Sequence, residues 1–373
     1  MHSMTKILSS LLSGGQERAV KQMADEDDGR KEVTSIRLRP QTRAWLQAQS
    51  ETLGISVSQM INIMVDGVIS IETSPRQSRI DTMYDRLMLL FESHGIAPLE
   101  MSRMLGQYGI TLSALKSRDA TLDLITPELI NDVSGWFGVN ASWLSATTEE
   151  VYPRRSLSWY KNAEGMAVSV IERNILHGNL DVYVIRSDGV SFQQAEMQDN
   201  NTHSLNLGFV LKYRVTVGGV GFSRFEFSEF QRWNYGPCRE DLQRVFRFIG
   251  ELSRRHGAVQ LHGRTLKEGI FDRIYAGRIL PLQLDEALNR SGWWDPDEFA
   301  AEAGSEYKEK KFSRYLDAYF STSPGTLVPM RSEHSRYPEG WMVRTWKDEE
   351  EPNKYFSLAD ALDDVYDSNQ GTP

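Results

Sequence analysis

The sequence predicts a multidomain α+β protein: a short strand with two helices, then an all-helical segment, then an α+β half with an antiparallel sheet. Three observations predict this. Residues 32–39 alternate with period two, and two amphipathic helical patterns follow. Residues 80–146 carry apolar positions at helical spacing with no strand-like run. From Tyr152 onward, β-like runs separated by glycine turns appear.

The chain has 373 residues, which allows two or three domains. A hydrophobic fraction of 40% and a charged fraction of 25% fit a folded soluble protein. The single cysteine, Cys238, excludes a disulfide framework and a cysteine zinc cage. The seven histidines show no metal-ligand spacing, so no metal and no cofactor is expected. No run approaches the ~20 apolar residues of a membrane span. Lys6–Leu12 is too short for a secretory core, so a cytoplasmic protein without membrane contact is expected. The net charge of −9 confines any nucleic-acid surface to a local patch.

Residues 1–31 read as a flexible arm, ending in the polar run Asp25–Gly29. In 32–72, Thr34, Ile36 and Leu38 face one side of the strand, and Val33, Ser35, Arg37 and Arg39 the other. Pro40 ends the strand and opens a helix over Gln41–Leu53. Gly54 stops that helix, and Ser56 caps a second one from Val57 to about Ile71. Residues 74–79 read as a linker. Residues 80–146 predict helices at 81–93, 98–105, 112–119, 127–137 and 141–145. Residues 152–346 form the α+β domain. Strands are expected at 166–175, 180–187, 205–217 and 221–230, and helices at 238–256, 264–276, 283–290, 295–303 and 307–319. Residues 347–373 read as an acidic, mobile tail.

A lone strand with two helices leaves its inner face and its backbone edge open. A second copy closes both, by antiparallel strand pairing and four interlocked helices. The outward face of the ribbon then fits the major groove, where arginine can fork onto guanine and serine can meet several base edges. The stretch Val33-Thr-Ser-Ile-Arg-Leu-Arg39, a helix, then Gly54-Ile-Ser-Val-Ser-Gln-Met60 resembles the ribbon-helix-helix family of Arc/MetJ-type repressors. The resemblance implies a homodimer or higher oligomer on double-stranded DNA. It places base reading on Val33, Ser35 and Arg37, and backbone contacts on Arg39, Ser56 and Ser58. Val33 stands where a polar residue is often found.

In 80–146, Met101–Gly106, Ile110–Arg118 and Gly138-Val-Asn-Ala-Ser-Trp-Leu144 resemble the Cro/phage-repressor-like helix-turn-helix family. That implies a recognition helix capped by Thr111, with Leu112, Ser113, Lys116 and Arg118 available to DNA. Gln107–Gly109 reads as an insertion in the preceding turn, and Pro98 and Leu99 stand where the family often has glutamine.

The C-terminal half shows no paired acids, no phosphate loop and no nucleophile turn. Arg224, Arg232 and Arg239, near several aromatic residues, are candidates to line a pocket, and an effector or protein partner could act there. The expected function is a dimeric, sequence-specific transcriptional regulator, prokaryotic or from a mobile genetic element, and not an enzyme. The alternative is a DNA-bound accessory protein of plasmid transfer, partition or defence that recruits a partner through its C-terminal half.

Overall fold

Pro40 occupies the first position of α1 (Pro40–Leu53), as its fixed φ and missing N–H favour. This is a computed structural model, and it describes residues 37–53, 56–62, 64–65, 75–154, 156–197, 204–300, 306–331, 338–344 and 352–370. Helix α2 covers 57–62 and 64–65. Leu46, Ser50 and Met60 are buried. The arm expected at 1–31 and positions 32–36 of the expected strand lie outside the described residues. Residues 37–39 have no ladder partner among the described residues.

Residues 75–79, expected as linker, are the first turn of α3 (Pro75–Ser93). Pro75 suits a helix start, and the arginine, glutamine and serine behind it are compatible with helix. After it come α4 (Pro98–Met104), a 3₁₀ turn at Gly106–Tyr108, α5 (Leu112–Leu115), α6 (Arg118–Leu122), α7 (Pro127–Phe137) and α8 (Ala141–Leu144). The helix expected over 112–119 is split, because the Ser117 hydroxyl caps a new helix by accepting from Ala120 N–H. Gly109 and Gly138 end their elements at φ 77° and 72°. Buried Arg86 ties α3 to the end of the segment. Its guanidinium donates to the Trp143 and Thr148 carbonyls, each at 2.7 Å, and meets the Glu149 carboxylate.

Helix α9 (Ala163–His177) replaces the whole of the strand expected at 166–175. Val168, Val170 and Ile171 favour strand locally. The wider pattern Ala163, Met166, Ala167, Val170, Ile171 and Asn174 is one helical face, and all six are buried. The main sheet contains β1 (Leu180–Ser187), β2 (Asn206–Val217), β3 (Val220–Phe227), β4 (Gln231–Arg232), β5 (Val259–Leu266) and β6 (Gly292–Trp294). Its order is β3-β2-β1-β5-β6, with β4 beside β2. Pairing is antiparallel except between β1 and β5, so the sheet is mixed. The helix expected over 264–276 is α12 (Glu268–Tyr275), but residues 264–266 belong to the end of strand β5 instead. Gly263 permits the strand, since a Cβ there would lie 2.2 Å from the Trp294 carbonyl oxygen.

Strand alternation divides the core. Val182, Val184, Phe209, Leu211 and Tyr213 share one cluster with residues of α9, α11 (Gly236–Arg255) and α14 (Glu306–Ser321). Tyr183, Ile185, Val210, Phe225 and Phe227 share the other with the α3–α8 segment, α12 and α13 (Pro281–Arg290). Phe137 lies 5.1 Å from Phe91 and 4.5 Å from Phe222 between ring centroids. Residues 83–373 accordingly form one unit, and 1–82 the other.

The short helix α10 (Phe192–Met197) lies between β1 and β2 in the chain. Strands β7 (Leu327–Met330), β8 (Gly340–Val343) and β9 (Asn353–Tyr355) make a small antiparallel sheet. The chain continues into α15 (Leu358–Gln370), which buries Leu358, Ala361, Leu362 and Val365. The described part of the expected acidic tail is therefore folded. Its acids occupy the outer face of an amphipathic helix whose inner face joins the core.

Candidate nucleic-acid interface

Arg37 and Arg39 are exposed immediately before α1. Arg43, one turn further on, is also exposed, and its N–H donates to the Arg39 carbonyl at 3.0 Å. Val33 and Ser35 lie outside the described residues. At the start of α2 the cap is reciprocal. Gln59 N–H donates to the Ser56 hydroxyl at 3.2 Å, and Ser56 N–H donates to Gln59 Oε1 at 2.9 Å. This satisfies two main-chain donors and fixes the direction of the helix. Ser58 lies exposed in its first turn. Trp45 is 42% exposed and Val65 49%, so apolar groups of both helices face outward in the single chain.

In the helical segment, Thr111 accepts from Ala114 N–H at 3.3 Å and caps α5. Thr111, Leu112, Ser113 and Lys116 are exposed. Arg118 is separated from them, because it opens α6. Its guanidinium lies 3.5 Å from Asp85 and 5.0 Å from the centre of the Tyr84 ring. Arg118 therefore holds α6 to α3.

A buried ionic centre on β2, β3 and α9 was singled out by the sequence only at Arg224 and, among the aromatic residues near it, Tyr213. Glu226 accepts from Tyr213 Oη at 2.5 Å and Arg173 Nε at 3.1 Å, with Arg224 at 3.4 Å. Arg224 also donates to the Gly135 carbonyl at 2.9 Å, linking β3 to the last turn of α7. Burial and the Glu226 charge push the Tyr213 hydroxyl pKa upward. His177 stacks on Tyr213 at 4.4 Å, and burial with the Arg224 charge lowers its pKa to about 4. Sequence separation hides such a centre, because Arg173 lies 53 positions from the Glu226 it meets.

Arg224 lines a cavity of about 150 Å³ with Ser134, Gly138 and Glu226; Arg232 and Arg239 do not. A larger cleft of about 320 Å³ lies between the starts of α9 and α11, lined by Tyr160, Lys161, Glu164, Glu240, Asp241 and Arg244. There the Asp241 carboxylate accepts from Lys161 N–H at 2.8 Å and pairs with Arg244. Burial pushes the Cys238 thiol up to about 11, which keeps it protonated at neutral pH. Among the described residues no three His, Cys, Asp or Glu side chains are grouped to hold a metal. None of their helices is long and apolar enough to cross a membrane.

No protein-family model, curated protein or solved structure matches the chain. Function must therefore be argued from these sites alone.

Proposed function

We propose that the chain is a dimeric, sequence-specific DNA-binding regulator of transcription that presents a β-ribbon to the major groove. The observation that carries this reading is the α1–α2 pair. Its second helix starts at the reciprocal Ser56–Gln59 cap, and the exposed arginines 37, 39 and 43 lie just before and in the first turn of its first helix. The open Trp45 and Val65 side chains supply apolar surface for a second copy. Pairing of two strands would place Val33, Ser35 and Arg37 on the outer face, where arginine reads guanine. Arg39 and the Ser56–Ser58 helix start would meet phosphates, as the positive end of a helix does. Thr111, Leu112, Ser113 and Lys116 would form a second contact.

The test is selection of binding sites from a random duplex library by the full chain. Enriched pseudo-palindromes, with one base position blurred in Arg37→Ala and ~1–3 kcal/mol lost, support the reading. No enrichment by the wild-type chain overturns it.

One observation favours a second reading, a DNA-bound accessory protein that recruits a partner. Phe356 is 97% exposed and Trp293 67%, both in the C-terminal half. Binding sites confined to transfer origins or centromere-like arrays would select that reading over promoter control.

A further inference from the structure

Two acid-free stretches of an acidic chain are brought together by the fold. Acids occur about once in seven residues overall, 51 in 373. Residues 101–118 hold Arg103, Lys116 and Arg118 and no acid. Residues 206–225, which are β2 and most of β3, hold Lys212, Arg214 and Arg224 and no acid. At the average density these two stretches would carry about five acids.

The contact between them is direct. A Cβ on Gly218, at the tip of the β2–β3 hairpin, would lie 3.4 Å from Met104 Cα. Arg103 Nη2 donates to the Gly219 carbonyl at 3.4 Å. Arg214 Nη2 donates to the Gly221 carbonyl at 3.3 Å, and its guanidinium lies over Gly221, where any side chain would displace it. The two guanidinium groups thus end on carbonyls two residues apart.

Three of the six cations are committed elsewhere: Arg118 to Asp85, Lys212 to Asp285 and Arg224 to Glu226. Arg103, Lys116 and Arg214 are exposed and enter no ion pair among the described residues. Thr216 is also exposed, and the strand register places it on the same sheet face as Arg214. Helix α5, which Lys116 follows directly, packs against α4, which bears Arg103.

We propose that the hairpin tip, with Arg103 and Arg214, is a docking surface for the phosphate backbone of duplex DNA. The inference rests on the DNA-binding reading above and extends it to strands that belong to the C-terminal half. Charge complementarity selects the occupant: arginines held over main-chain carbonyls keep free N–H groups for phosphate oxygens. Such contacts carry no sequence information and appear as salt dependence.

The experiment measures binding of the full chain to a duplex of about 30 base pairs across a salt series, for wild type, Arg103→Ala/Arg214→Ala, the corresponding double lysine variant, and Arg37→Ala. The double alanine variant should lose about two units of the slope of log K against log salt for each protomer bound, about 3.6 for the dimer, and more than about a hundredfold in affinity at about 0.1 M salt. The lysine variant should keep most of both. Both arginines are exposed, so folding should be intact, which thermal unfolding checks. An unchanged slope in the double alanine variant, with Arg37→Ala still blurring specificity, overturns the docking surface and leaves the ribbon reading standing. Absence of duplex binding by the wild type overturns both.

Discussion

At the residue scale, His94 makes the stability of the fold sensitive to acid. Its Nδ1 faces the Leu90 carbonyl at 2.8 Å, its Nε2 has no partner, and its ring lies 4.4 Å from Phe137. Burial lowers its pKa from 6.5 to about 4, against a smaller upward effect of the Leu90 carbonyl. The folded chain keeps the ring neutral while the unfolded chain takes up a proton. The unfolded state therefore binds more protons between those two values, and stability falls as pH drops from about 6.5 to about 4. The slope approaches ~1.4 kcal/mol per pH unit for this group. His177, lowered the same way, acts in the same direction. Urea unfolding of His94→Phe at about pH 7 and about pH 5 should show a shallower loss than wild type. An identical loss would exclude His94 as its source. Arg86 gives a second expectation. Its replacement by alanine strands the buried Trp143 carbonyl and the partly buried Thr148 carbonyl and should cost about 2–3 kcal/mol by chemical denaturation.

At the scale of elements, caps and glycines set the boundaries. Ser56→Ala should cost about 1 kcal/mol and Gln59→Ala less, both read as lower urea midpoints. Gly138→Ala should cost more than a cap. At φ 72° a side chain is strained, and its Cβ would press on Arg224 Nε at 3.1 Å and the Phe225 carbonyl at 3.2 Å. Much of this level was readable in the chain. Ser56, Thr111 and Thr126 cap where their side-chain oxygens predict, and β1 keeps its expected bounds over 180–187. The failures have physical causes. Branched residues in 166–175 favour strand locally, but six buried positions at helical spacing decide the element. Strand β5 is central, flanked by β1 and β6, and its Gly263 and His262 break the alternation that marks a half-buried strand. The ionic centre at Glu226 depends on register between elements, which no local pattern encodes. Of the interface residues, Arg37, Arg39, Ser56, Ser58 and Lys116 are exposed. Arg118 pairs with Asp85 through helix packing, which no local pattern encodes.

At the scale of the whole molecule, the C-terminal helix is a structural member. Deletion of residues 357–373 would uncover Leu358, Leu362 and Val365, each worth about 1.5–3 kcal/mol when buried. The shortened chain should be insoluble or melt well below the intact one in a thermal scan. A dimer held through residues 32–72 should also make the melting temperature rise with protein concentration. A concentration-independent melt in a chain of monomer mass would exclude that assembly.

The shared core of the α3–α8 segment and strand β3 also sets an order of events during synthesis. Phe91 and Phe137 leave the ribosome well before Phe222, which completes their aromatic cluster. At about 5–20 residues per second, the interval between residue 144 and residue 227 lasts roughly 4–16 s. Through that time the nascent helical segment carries an uncovered aromatic face, a natural substrate for chaperones. The same segment expressed alone should stay in that state permanently, so its solubility depends on chain that is translated later.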